Sequence, residues 1–379
     1  MSAPGVAARS AAVEVLVAVA GGARTSDALD VVLRARGGLD ARDRALVTEL
    51  AHGTVRMSRA IDFLVDPFLS RTVDTDVRAL LRVGTYQIHW MGTPPHAAVS
   101  ATVGAARSRV RGLVNAVLRR VSAIEISGVE WPGEAVRLSY PDWLVDRVTA
   151  DLGEDAIPAL EAMNRPQRAP ARSDGFVQGL ASVWVADEVP AETGSVVVDL
   201  CAAPGGKTTA LTGRGAEVVA GDVSSSRALS LARVAERYGG DRVSVMLADA
   251  TTPPIRSGVA DAVLVDAPCS GLGALARRSD ARWRLRSADL GRLAELQARI
   301  LPAAAELVRP GGVLVYSVCT LTRTESVEVA AAVDERADFE TLPLEHPDRW
   351  RDWGSGGLIL PQDRGTDGMA VFRWRRRSA

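Results

Sequence analysis

The chain has 379 residues, 47% of them hydrophobic, with 45 basic and 46 acidic side chains and a net charge of −1. That length exceeds one ordinary domain, and the near-neutral balance excludes a protein whose whole surface is polycationic. No apolar run approaches the ~18 residues of a membrane span, and the first twenty residues lack the charged start, apolar stretch and cleavage site of a secretory signal.

Residues 1–125 read as helices. Val13, Leu16, Val17 and Ala20 fall at i, i+3, i+4 and i+7, one face of a helix. Similar patterns run through "DRALVTELAHGTVRM", "VRALLRVGTYQIHWM" and "VRGLVNAVLRRV", with breaks at Gly37-Gly38 and Thr93-Pro94-Pro95. No convincing strand alternation interrupts them, so this domain is expected to be an all-α bundle. It holds 16 Arg against 11 acidic residues, a surplus suited to RNA phosphates. His52, His89 and His96 are expected to cap or pack helices.

Residues 126–190 form a connecting segment broken by Trp131-Pro132-Gly133, Tyr140-Pro141, Arg165-Pro166 and Ala169-Pro170. One helix is expected through "PDWLVDRVTADLG".

Over residues 191–379 the texture changes. The runs "SVVVDL", "AEVVAGD", "VSVMLAD", "ADAVLVDAP" and "GGVLVYSVC" alternate with helical stretches such as "SSRALSLARVAERYG" and "DLGRLAELQARILPAAAELV". Such alternation predicts a doubly wound parallel sheet, an α/β Rossmann-like domain. The whole is therefore multidomain. Asp199, Asp222, Asp249 and Asp266 stand at or near the strand ends, the edge along which such sheets bind ligands.

"DLCAAPGGKTT" is neither a P-loop nor GxGxxG. Its Pro-Gly-Gly turn lets backbone approach a ligand, Asp222 is placed to accept ribose hydroxyls, and Asp249 lies where an adenine edge would sit. That layout suits an adenosine ligand without a pyrophosphate, and S-adenosylmethionine fits. Structural turns alone would explain the glycines but not four strand-end acids. Of the 45 basic residues 44 are Arg, and the single Lys, Lys207, sits in this turn. A tight site that needs a compact ammonium cannot take the planar guanidinium instead.

The three cysteines, Cys201, Cys269 and Cys319, each follow a β-rich run. An odd number in a long chain points to a reducing cytoplasm rather than a disulfide framework, and the scattered histidines predict no metal. After Cys269, "RRSDARWRLR" interleaves arginine with tryptophan, a pattern that pairs phosphates and stacks on bases. The tail "RWRRR" repeats it.

These residues carry a resemblance. "DLCAAPGGKTT", "DAPCSGLG", "RRSDARW", "YSVCTLTRTES" and "LPQDRGTDG" resemble the RsmB/Sun family of RNA 5-methylcytosine methyltransferases. "DRALVTELAHGTVR", "LRVGTYQIHW" and "LVNAVLRRV" resemble the NusB-like RNA-binding domain fused to its bacterial members, and "LSYPDWLVDR" resembles the family's connecting segment. The resemblance implies a class I methyltransferase domain using S-adenosylmethionine, with 16S rRNA, before the small subunit is fully assembled, as substrate. It implies Cys319 as the nucleophile at cytosine C6, Asp266 at cytosine N3, and Cys269 assisting loss of the C5 proton and release of the enzyme. It implies a cofactor site built from the backbone at Cys201, Ala202, Ala203, Pro204, Gly205 and Gly206 with Lys207, Asp222, Asp249 and Asp266. Arg277, Arg278, Arg282 and Trp283 become the expected RNA contacts. The protein is expected to act as a monomer away from membranes.

The chain departs from the pattern in three places. The segment 164–195 is shorter than the family's small RNA-binding subdomain, Val318 precedes the nucleophile, and Ser326 stands where Asn is usual. Two other readings stay open: methylation of tRNA or another RNA, and a non-catalytic NusB-like assembly factor.

Overall fold

The computed structural model describes residues 5–166 and 169–378. Two compact units result, one of residues 1–146 and 277–284, the other of residues 147–276 and 285–379.

The first unit is helical: α1 (Val6–Ala20), α2 (Thr25–Ala35), α3 (Ala41–Arg56), α4 (Ser58–Val65), α5 (Thr75–His89), α6 (Pro95–Ala105), α7 (Arg111–Val121) and the short α8 (Glu134–Arg137). The buried stripe of α1 is Ala8, Ala11, Ala12 and Val15 with Leu16, while Val17 stays 38% exposed. The face expected from Val13, Leu16, Val17 and Ala20 is therefore rotated. Alanines let α2, α3, α5 and α6 all approach α1 closely, and that close packing outweighs the larger valines. Gly53 and Gly84 serve the same end: a Cβ at either would strike Tyr86 or Leu118.

The second unit is built on one sheet. Its strands are β1 (Val196–Asp199), β2 (Glu217–Asp222), β3 (Val243–Leu247), β4 (Ala260–Asp266), β5 (Val308–Val318), β6 (Phe339–Thr341), β7 (Arg351–Trp353), β8 (Gly356–Ile359) and β9 (Met369–Arg376), in the order β3-β2-β1-β4-β5-β9-β8-β7 with β6 beside β9. The first five are parallel, with Val198 opposite Val219 and Val263, and Leu264 opposite Val315. Strands covered on both faces must be apolar throughout, which explains the unbroken valine runs.

The sheet is mixed rather than wholly parallel, because β9 runs antiparallel to β5 and β8. Antiparallel neighbours need no crossover helix, and β7 meets β8 through a tight turn at Gly354 with φ of +62°. The basic tail is thus a strand: Phe372 and Trp374 are fully buried, and Arg373 bonds the Pro343 carbonyl at 2.7 Å and Glu345 at 2.6 Å.

Helices α9 (Asp142–Leu152) and α10 (Ala156–Ala162) lead into the second unit, and α11 (Leu180–Asp187), α12 (Gly206–Thr212), α13 (Ser225–Tyr238), α15 (Ser287–Leu307), α16 (Val327–Asp334) and α17 (Pro361–Arg364) complete it. Between Ala162 and Leu180 the described residues hold one antiparallel bridge, Ala171 to Val177, and no subdomain. No helix among the described residues is long and apolar enough to cross a membrane.

The segment 277–284, with its short helix α14 (Ala281–Arg284), belongs to the helical unit. The Arg282 guanidinium lies 3.9 Å over the Tyr140 ring and donates to the Ser139 carbonyl at 3.2 Å. Trp283 donates its indole N–H to the Val55 carbonyl at 2.8 Å, and His52 bonds the Ser279 hydroxyl at 3.2 Å.

Candidate active site

Each strand of the parallel core delivers one chemical group to its carboxyl end. β4 ends in Asp266 and continues through Ala267-Pro268 to Cys269; β5 ends at Val318 and is followed at once by Cys319. Because β4 and β5 are neighbours in register, Asp266 opposite Ser317, the two thiols meet with Sγ atoms 3.3 Å apart. The third cysteine, Cys201, follows β1, and burial pushes its thiol well up. The hydrogen bond with Cys319 and then burial hold the Cys269 thiol well above its ordinary pKa, so Cys269 keeps its proton.

Asp266 accepts a hydrogen bond from Lys207 Nζ at 2.6 Å and another from the Ser317 hydroxyl at 2.8 Å. The lone lysine therefore joins the glycine turn after β1 to the acid ending β4. Its side chain is only 8% exposed, a slot for an ammonium and not for a guanidinium.

The glycine turn is shaped by what lies behind it. Gly205 has φ of +111°, and a Cβ there would come within 2.9 Å of Leu231 and 3.0 Å of Val234. Asp199 sits beneath the turn, fully buried, with Oδ2 bonded by the Thr208 hydroxyl at 2.8 Å and Oδ1 without a partner. Burial pushes its carboxyl up to about 7. Asp222 is buried at the end of β2, oriented by the Ser224 amide at 2.9 Å and paired with the exposed Arg227 at 3.0 Å. Asp249 is exposed, and the Thr251 amide and hydroxyl, each at 2.8 Å, lower its pKa.

Two features were not found in the sequence. Arg172, from the short linker, donates to the Gly206 carbonyl at 2.7 Å and the Thr209 hydroxyl at 3.0 Å while stacking on Phe176. Glu325 is fully buried between the thiol loops. Its Oε1 accepts from the Ser270 amide at 2.7 Å and Gln297 Nε2 at 3.4 Å; its Oε2 accepts from the hydroxyls of Ser270, Thr320 (2.9 Å) and Thr322 (3.4 Å). The only advance signal was the place of Glu325 just after the second cysteine motif.

The four expected RNA contacts divide. Arg277 and Arg278 are exposed. Arg282 is fully buried and spends its guanidinium within the helical unit, and Trp283 is half-buried against that unit's core. As an RNA contact Arg282 is thus corrected: it is an internal anchor. No cluster of three His, Cys, Asp or Glu side chains that could hold a metal occurs among the described residues.

Comparison with known proteins places this geometry. Residues 188–374 match the family described as 16S rRNA methyltransferase RsmB/F, and residues 6–123 match the NusB family. The chain is 37% identical over 401 aligned positions to a ribosomal RNA small subunit methyltransferase B of Thermus thermophilus, covering 97% of both chains. It is 33% identical over 404 positions to the enzyme of that name from Xanthomonas campestris, covering 90% of this chain and 91% of that one. Both alignments are longer than the 379-residue chain, so each relative carries residues without a counterpart here. Among solved structures, PH0851 superposes with a TM-score of 0.77 at 22% identity over 99% of this chain and 100% of its own, a likeness of fold.

Proposed function

The chain belongs to the RsmB/F family of S-adenosylmethionine-dependent rRNA methyltransferases, and from that premise we propose that it methylates cytosine C5 in 16S rRNA through a covalent Cys319 adduct. The observation that carries this reading is the pair of thiols 3.3 Å apart beyond the ends of adjacent strands, with the carboxyl group of Asp266 paired opposite Ser317, two residues before Cys319.

Cytosine C5 is a poor nucleophile until a sulfur adds to C6. Cys319 makes that bond. The two sulfurs lie within hydrogen-bond distance, so a proton retained on the Cys269 side of the pair would favour negative charge on Cys319. Asp266, fixed by Lys207 and Ser317, faces the N3 side of the ring and passes a proton to N3 as the sulfur adds, which neutralises the negative charge that develops there. S-adenosylmethionine supplies the electrophilic methyl group that C5 takes. Once Cys269 has given its own proton to water, its sulfur takes the C5 proton, which restores the C5–C6 double bond and expels the Cys319 thiolate. The target base must be unstacked to reach the thiols, at a cost on the order of a few kcal/mol.

The residues present fit that cofactor. The side chains behind Gly205 leave no room for a Cβ, so the turn presents bare backbone to a ligand. Residues 201–207 would hold the methionine part, Asp222 the ribose hydroxyls and Asp249 the adenine edge. Arg277, Arg278 and the basic helical unit are proposed to hold RNA.

The test is a denaturing gel for protein–RNA adducts with unmodified small-subunit rRNA and S-adenosylmethionine. Cys269→Ala is expected to accumulate a slowly migrating adduct, and Cys319→Ala, alone or added to it, to abolish that band. RNA binding without any adduct in any variant would overturn the reading and favour an assembly factor.

A further inference from the structure

Cys269 and Cys319 lie on separate loops, and nothing covalent sets their distance. Glu325 bonds the residue that follows each of them: Ser270 through its amide and hydroxyl, Thr320 through its hydroxyl. Those hydroxyls are themselves 3.3 Å apart. On the other side of Cys269, the Pro268 carbonyl accepts from Gln297 Nε2 at 2.9 Å, and the same amide reaches Glu325 at 3.4 Å. The Tyr316 hydroxyl in β5 donates to the Glu325 carbonyl at 2.7 Å, fixing the backbone that carries the carboxylate.

All five donors to this carboxylate are uncharged. A buried carboxylate without a cation is a costly way to hold a core together, and apolar packing would do that at least as well. What such a network supplies is a single permitted arrangement. We propose that Glu325 is a positioning residue that clamps the Cys269 and Cys319 loops in the register bringing their sulfurs together. This register belongs to the fold; its consequence for turnover rests on the cytosine-C5 reading above.

The two oxygens are not equivalent. Oε1 receives N–H groups, which can only donate, whereas Oε2 receives three hydroxyls, which can turn and accept. Glu325→Gln therefore has one orientation that keeps most of the contacts, with its carbonyl toward Ser270 N and Gln297 and its NH2, which has two hydrogens, donating to two of the three hydroxyls. Glu325→Ala keeps none.

The thiols themselves provide the ruler. Diamide, an azo oxidant, takes two electrons and two protons from a thiol pair, becoming the hydrazine and leaving a disulfide. The rate at which Cys269 and Cys319 close in the full-length protein is followed by alkylation of remaining thiols and mass spectrometry of the linked peptides. Glu325→Ala is expected to slow closure about tenfold or more, as for other losses of fixed geometry. Glu325→Gln should recover it to within about threefold of wild type. Val333→Ala, a core change in α16, controls for lost stability. On rRNA, Glu325→Ala should lower kcat while the KM for S-adenosylmethionine holds. If Glu325→Ala does not fold, the double variant Ser270→Ala/Thr320→Val, which removes two hydroxyls and leaves the carboxylate, must slow closure in its place. Closure at the wild-type rate in the variant that folds overturns the proposal. The adduct gel judges the cytosine reading separately, because a wild-type protein that forms no adduct leaves the disulfide rates untouched.

Discussion

At the scale of single residues, burial decides which acids act and which only support. Asp199 has one oxygen bonded by Thr208 and the other with no partner, and its carboxyl is pushed up to about 7. The folded protein thus keeps a proton that the unfolded chain releases near pH 4. Stability from this group is full below about pH 4, declines as pH rises toward 7, and is level above. Asp199→Asn, neutral throughout, should raise the melting temperature at pH 8 and leave it near wild type at pH 4.5, as read by thermal denaturation at both pH values. An equal shift at both would show that Asp199 is ionised in the native state. The reactive residues were legible in sequence because composition isolates them: three cysteines and one lysine in 379 residues. Glu325 was not, since "TRTES" reads as an ordinary polar turn, and only the meeting of β4 and β5 buries it. Arg282 misled for the same reason: its partner Tyr140 lies far upstream.

Among elements, the short linker has a use of its own. In the linker this protein has the Ala171–Val177 bridge, whose Arg172 reaches over to Gly206 and Thr209. The strap braces the glycine turn from outside, as Leu231 and Val234 brace it from behind. Arg172→Ala is expected to weaken S-adenosylmethionine binding about tenfold, the loss of one or two charge-assisted hydrogen bonds at a partly screened site. Calorimetric titration checks this, and an unchanged affinity would make the strap irrelevant to the cofactor. The first five strands and the helices between them could be read from period alone. The last four could not, because β6, β7 and β8 are only three or four residues long and the Trp and Arg content of β9 imitates a basic surface patch. Only pairing with β5 shows that Phe372 and Trp374 face a core.

On the scale of the whole molecule, sequence order and structural membership disagree. Texture suggested a boundary near residue 126, but the helical unit runs to Asp146 and then takes in 277–284. No local pattern announces that excursion, since Arg277 follows the Cys269 turn without a break. Trp283→Ala removes the half-buried indole and its bond to the Val55 carbonyl, and should destabilise the helical unit by about 2 kcal/mol, below the range for fully buried tryptophans. Faster amide exchange in α3 of the full-length variant is the expected signature, and unaltered exchange there would mean that Trp283 merely rests on the surface.

The same excursion has a consequence in time. A chain made from its N-terminus releases residues 1–146 first, but the eight residues that seat Arg282 against Tyr140 and Trp283 against Val55 come only after the first part of the methyltransferase sheet. At translation speeds of roughly 5–20 residues per second, the nascent bundle waits on the order of ten seconds with that seat empty. The helical unit therefore cannot finish folding as an independent first domain. Its completion reports that synthesis has passed Cys269.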